Sequence, residues 1–223
     1  MPEIKPRVEI LAHTPDPLSL IYAAFRQCYH AGEVADMWPS LTCGNIPREK
    51  QAEFVAKIME SGHASPIEHV SFTFAISGVS RALTHQLVRH RIASYSQEST
   101  RYCNYTSDKF SNQISCIDIA TGFHYDMNDP ADRRKWEIWS SAMESAEKHY
   151  FEMIDAGAKP EEARSVLPNS LKTEIVMTMD LREWRHFIRL RGSRAAHPQI
   201  VEITAQIREE FIKRYPVFFE DLA

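Results

Sequence analysis

"HVSFTFAISGVSRALTHQLVRHRIASYSQESTRY", residues 69–102, decides the fold. Its opening alternates. Val70, Phe72, Phe74 and Ile76 face one way, and Ser71, Thr73, Ala75 and Ser77 face the other, which is the period of a strand with one buried face. "SRALTHQLVRHR" then opens on a serine N-cap and reads as a helix. Leu83 and Leu87 form an i, i+4 pair, and His90 and Arg91 continue that stripe. The end of the stretch, "RHRIASYSQESTRY" (89–102), gathers three arginines, a histidine and a single acid. A polar cluster of this kind after an apolar helix belongs at the mouth of a pocket.

The flanking sequence supplies the other elements. "VEILAH" (8–13) reads as a short strand. Leu18, Tyr22, Phe25 and Tyr29 recur at helical spacing. "IPREKQAEFVAKIMESGH" has proline at a helix start and Gly62 as its C-cap. Residues 132–155 predict a long helix, with Trp136, Trp139, Met143, Ala146, Tyr150 and Met153 on one stripe. "EEAR" continues as a short helix. "SLKTEIVMTMD" alternates through Leu171, Thr173, Ile175, Met177 and Met179, and two helices follow near 181–191 and 199–214. The expected class is α+β: a mixed β-sheet flanked by helices, in a single domain over residues 1–223.

Composition narrows the function. The chain has 223 residues, is 43% hydrophobic and 25% charged, and carries net charge -4, as ordinary soluble domains do. No run is long and apolar enough for a membrane span, and the charged N-terminus lacks a secretory apolar region. Four cysteines without CxxC or metal-ligand spacing read as reduced thiols in the cytoplasm. There are only seven glycines, and no two are separated by a single residue, so no glycine-rich turn cradles a phosphate.

Arginine takes that place. Arg81, Arg89, Arg91 and Arg101 fall in one lysine-free window; Arg182, Arg185, Arg189, Arg191 and Arg194 fall in another. Arginine without lysine suggests planar, bidentate recognition of anions, although a solvated basic face remains an alternative. On the helix near 181–191, Leu181, Trp184, Phe187 and Ile188 share a side with Arg191, while Arg185 and Arg189 point away. A guanidinium on an apolar face needs an anionic or carbonyl partner, from the protein or from a ligand.

Arg89-His90-Arg91, seven residues and then Ser99, with Arg101-Tyr102 behind, resembles the signature of the flavin-dependent thymidylate synthases. "GHASPIEHVSFTF", "ARSVLPNSLKTE", "LREWRHFIRLR" and "AAHPQIVEI" extend the resemblance over about residues 60–207, in family order. It implies an α+β homotetramer with active sites shared between subunits. Its reaction converts dUMP to dTMP, with methylenetetrahydrofolate as carbon donor, NADPH as reductant and FAD as hydride relay. Carried over by position, Arg89, His90 and Arg91 hold FAD, and Ser65 reaches it from a neighbouring subunit. Gln97, Asp180, Arg182 and His186 join them at the flavin. Gln86, Leu87, Val88, Arg89, Gln97, Glu98, Ser99, Thr100, Arg101 and Arg164 line the dUMP site, and Arg191 acts on the uracil ring. The sequence departs from the family at Ser96, where Asn is common, at Gln97, where some members have Glu, and at Asp180, where Asn is frequent. A carboxylate at 180 beside an anionic flavin is unfavourable unless it is protonated or turned towards Arg182.

Other readings of the same residues are weaker. His63, His69, His85 and His90 match no closed zinc spacing, so no metal is expected. Cys103 reads as an inert thiol, and Ser99 as a hydrogen-bonding group with no base beside it. A related flavoprotein methyltransferase is the alternative activity. Tyr95, Tyr102 and Tyr105 among the arginines suggest a single-stranded nucleic-acid module, which the negative net charge opposes.

Overall fold

The computed structural model describes residues 4–193 and 195–223; Arg194, counted in the second arginine window, lies outside the described residues. Four strands form one sheet in the order β1-β2-β4-β3: β1 (Arg7–His13), β2 (Ser71–Ser80), β3 (Ser94–Gln97) and β4 (Lys172–Asp180). The class is α+β as expected, but the sheet is not mixed. All three pairings are antiparallel. Phe72 lies opposite Met179, Phe74 opposite Met177 and Ile76 opposite Ile175, so the two alternating runs share one buried face. On the other face the Thr73 and Thr178 hydroxyls meet at 2.9 Å. A bulge follows Ile76, where Gly78 has φ 66°; a Cβ there would come within 2.3 Å of the Lys5 carbonyl oxygen, so only glycine fits.

The helices are α1 (Pro17–Gln27), α2 (Val34–Thr42), α3 (Arg48–Glu60), α4 (Arg81–Leu87), α5 (Ile119–Gly122), α6 (Pro130–Asp155), α7 (Pro160–Ala163), α8 (Leu181–Arg191), α9 (Pro198–Arg214) and α10 (Pro216–Phe219). The main core joins the buried sheet face to α1, α3, α8 and α9. Trp184 of α8 sits against Phe74, and its indole N–H donates to the Phe72 carbonyl at 3.1 Å. Fully burying a side chain such as Phe74 contributes about 1.5–3 kcal/mol. A second, smaller core lies under α6, where Met143 and Tyr150 pack with Tyr105, Ile114, Cys116 and Leu171.

Two local expectations change. The helix expected to run to Arg91 ends at Leu87, so His90 is buried in a following turn while Arg91 is exposed. Arg185, expected to point away from the core, is 7% exposed. The C-terminal segment packs over that side of α8, and Arg185 donates to the Phe218 carbonyl and to both Asp221 oxygens.

Candidate active site

The turn after α4 is held from one side by a tyrosine. The Tyr95 hydroxyl lies 2.8 Å from the carbonyl oxygens of both Leu87 and His90 and shares its one proton between them. Burial pushes this phenol up to about 12, so it stays a donor. The turn therefore projects Arg89 and Arg91 outward and turns His90 inward onto Phe187 of α8, 5.1 Å between ring centres.

His90 then meets Arg191. Arg191 Nε donates to His90 Nε2 at 3.0 Å, and its terminal nitrogens lie 3.4 Å from Gln86 Oε1 and 3.3 Å from the Gln86 carbonyl oxygen. A guanidinium is always a donor, so His90 must present a bare Nε2 and carry its proton on Nδ1. Burial, then the Arg191 charge and then His186 bring the imidazole down to about 4, which keeps it neutral at pH 7. Arg191 is thus fixed by neutral acceptors alone. Among the described residues no carboxylate neutralises it, and neither Glu202 nor Asp180 bonds to it.

His90 and Arg191 line a cleft of about 760 Å³. Arg89, His90, Arg91, Asp180, Arg182, His186 and Arg191, all anticipated from the sequence, face it together. Among the described residues, the side chains of Arg89 and Arg91 enter no ion pair or hydrogen bond. Arg182 is different: it pairs with Glu68 from the turn before β2. Asp180 does not turn towards Arg182. Its Oδ1 accepts from the Glu183 N–H at 2.9 Å and caps the N-terminus of α8. Burial, the largest cause, raises its carboxyl above the ordinary range. Glu68, Ile92, Glu183 and Leu190 also line the cleft and were not anticipated; Glu68 and Arg182 are 114 residues apart, a pairing that no local pattern reveals.

The remaining anticipated residues lie elsewhere. None of Ser65, Gln86, Leu87, Val88, Gln97, Glu98, Ser99, Thr100, Arg101 and Arg164 lines the cleft. Gln86 touches it only through Arg191, and the Leu87 side chain is fully buried in the main core. Ser65 begins a 3-10 turn. Gln97 Nε2 donates to the hydroxyls of Thr84 at 2.9 Å and Thr173 at 3.1 Å. Glu98 accepts from the Tyr105 hydroxyl at 2.8 Å, with Lys172 at 3.7 Å. Ser99 Oγ accepts from the Arg101 N–H, and Thr100 is buried. Arg101 pairs with Glu161 at 2.8 Å, while Arg164 donates to the Glu161 carbonyl at 3.2 Å. One chain therefore carries two arginine-bearing groups, one in the cleft and one around Ser99, Arg101 and Arg164.

Residues 9–217 match the family model described as "Thymidylate synthase complementing protein". A protein of Nitratidesulfovibrio vulgaris named flavin-dependent thymidylate synthase is 51% identical over 199 residues, covering 84% of this chain and 74% of the relative. Proteins of the same name from Geobacter sulfurreducens and Pyrococcus abyssi are each 36% identical, covering 96% and 93% of this chain and 86% and 80% of their own lengths. The matched span holds the whole of the cleft and the whole of the second group. The chain belongs to the family of enzymes named flavin-dependent thymidylate synthases.

Proposed function

We propose that this chain, acting as one domain over residues 1–223, converts dUMP to dTMP. Methylenetetrahydrofolate gives the carbon and NADPH the reducing equivalents, with FAD in the cleft. The observation that carries this reading is the set of three guanidinia, Arg89, Arg91 and Arg191, facing one cleft without a carboxylate partner among the described residues. Such a donor set suits two anionic ligands, a pyrophosphate-bearing cofactor and a nucleotide. When bound, FAD supplies hydride transfer, which no side chain can perform.

The protein's own residues bind and polarise. Arg89 and Arg91 would hold the cofactor's phosphates. Arg191 presents a planar fork to the imide and carbonyl edge of uracil, where it stabilises the negative charge that builds as the ring carbon attacks. Neutral His90 aims that fork without competing for the charge. Asp180 lines the cleft with Oδ1 engaged by the Glu183 N–H as a helix cap.

The second group, Ser99, Arg101 and Arg164, takes the dUMP phosphate and sugar in this reading. It does not line the same chain's cleft, which supports a site completed by residues from more than one subunit; the homotetramer is taken from the family resemblance. No helix among the described residues is long and apolar enough to cross a membrane. All four cysteines are free, which suits the reducing cytoplasm.

The test is optical. Protein reconstituted with FAD and mixed with NADPH in the absence of oxygen should lose its flavin absorbance, with or without dUMP. If the flavin fails to bind, or stays oxidised, the reading is wrong. Tight, salt-steep binding of an oligonucleotide would point to a nucleic-acid module instead.

A further inference from the structure

A second cavity, of about 320 Å³, shares no residue with the cleft. It lies between α6, the turn that precedes it and the start of α9. Trp136, Trp139 and Met143 of α6 and the buried Cys116 give it apolar walls. Asp118, Glu144, Glu147 and Glu202 bring carboxylates to its lining, and among the described residues no lysine or arginine lines it.

The acids do not neutralise one another, and none forms an ion pair among the described residues. Glu147 accepts only the Ile114 N–H, at 2.9 Å, and Asp118 accepts the Trp136 indole N–H and the Ala120 N–H. Glu144 has one long contact with the Ser140 hydroxyl, at 3.4 Å, and Glu202 has no hydrogen bond among the described residues.

An unpartnered donor faces the same space. Gln199 is 8% exposed, and its Oε1 accepts from the Ser80 hydroxyl at 2.7 Å. Its Nε2 makes no hydrogen bond among the described residues and sits at the cavity wall beside Gly122, where a Cβ would come to 3.3 Å of it. Gly122 leaves this amide uncovered.

We propose that this cavity binds a small organic cation, an ammonium or amidinium group on a flat apolar ring that also carries a hydrogen-bond acceptor. The ring packs against Trp136, Trp139 and Met143, where a cation also gains from the indole faces. The cationic N–H groups meet carboxylates that have no cationic partner among the described residues. The acceptor takes the free N–H of Gln199. Nothing in the proposal depends on the chemistry assigned to the cleft.

The probe is 4-methoxybenzamidine, whose ether oxygen is the acceptor for Gln199, with neutral 4-methoxybenzamide and anionic 4-methoxybenzoate as comparisons of nearly the same shape. Titration calorimetry on the protein should find the amidine at least tenfold tighter than the amide, and the benzoate not binding. The double variant Glu144→Gln, Glu202→Gln removes two exposed charges with almost no structural contacts, so its melting temperature should match that of the unchanged protein. Its affinity for the amidine should fall at least tenfold. Equal binding of amidine and amide, no binding of the amidine, or an unchanged affinity in the double variant would overturn the proposal.

Discussion

Replacing Arg191 with lysine is expected to cut dTMP formation roughly ten- to a hundredfold while flavin reduction by NADPH continues near its original rate. The size follows from the loss of one charge-assisted hydrogen bond, about 1.5–3 kcal/mol. Arg191 uses three nitrogens at once, toward His90 Nε2, Gln86 Oε1 and the Gln86 carbonyl. Lysine keeps the charge but has a single nitrogen on a flexible stem, so it cannot hold that frame and still offer two parallel donors to a ring edge. Reducing the flavin needs no activated uracil, which is why the two activities should separate. Arg191 anchors no carboxylate among the described residues, so the melting temperature should move by only a few degrees. Measuring dTMP formation, NADPH oxidation against oxygen and thermal unfolding on one preparation decides the matter. A parallel fall of all three would make Arg191 a structural residue.

Arg185, earlier on the same helix, should behave in the opposite way. Its guanidinium is buried and held by the Phe218 carbonyl and both oxygens of Asp221. The same contacts, led by the Arg185 hydrogen bonds, hold the Asp221 carboxyl below its ordinary range. Asp221→Ala leaves a charge with one carbonyl partner. Breaking a fully buried pair costs about 3–5 kcal/mol; Asp221 is half exposed and water can enter, so about 2–3 kcal/mol is expected. For a chain of this size that lowers the melting temperature by roughly 4–12 °C. At temperatures where the variant is folded, turnover should be unchanged, because Asp221 and Arg185 do not line the cleft. An unaltered melting temperature would show that the pair does not fasten the C-terminal segment to α8.

These two arginines also show what the sequence makes legible. The alternation in 70–77 and 171–179 identified both central strands and their buried faces, because a two-residue period with one buried side leaves few other arrangements. Helical stepping placed Leu181, Trp184, Phe187 and Ile188 in the core correctly. It missed Arg185 because a single helix does not reveal that residues 216–222 will cover a second side of it. The end of α4 was missed for a similar reason: the stripe runs on through His90 and Arg91, but the Tyr95 hydroxyl holds a turn there instead. β3, "SYSQ", is too short and too polar to stand out, and the interior Pro39 hides α2. The direction of strand pairing leaves no local mark, so the antiparallel sheet appears only in the structure.

The candidate site divides along the same line. Residues contributed by motifs, Arg89, His90, Arg91, Asp180, Arg182, His186 and Arg191, do converge on one cleft. Their pairing was not legible. That Glu68 takes Arg182, that Asp180 caps α8 and that His90 serves Arg191 as an acceptor all depend on contacts between distant parts of the chain.

The central claim is that this cleft supports reductive methylation of dUMP. The most direct measurement is chromatographic detection of dTMP after incubating the protein with FAD, NADPH, methylenetetrahydrofolate and dUMP. The account predicts dTMP from the complete mixture and none when FAD, NADPH, methylenetetrahydrofolate or dUMP is left out. No dTMP from the complete mixture, or dTMP formed without the flavin, would contradict it.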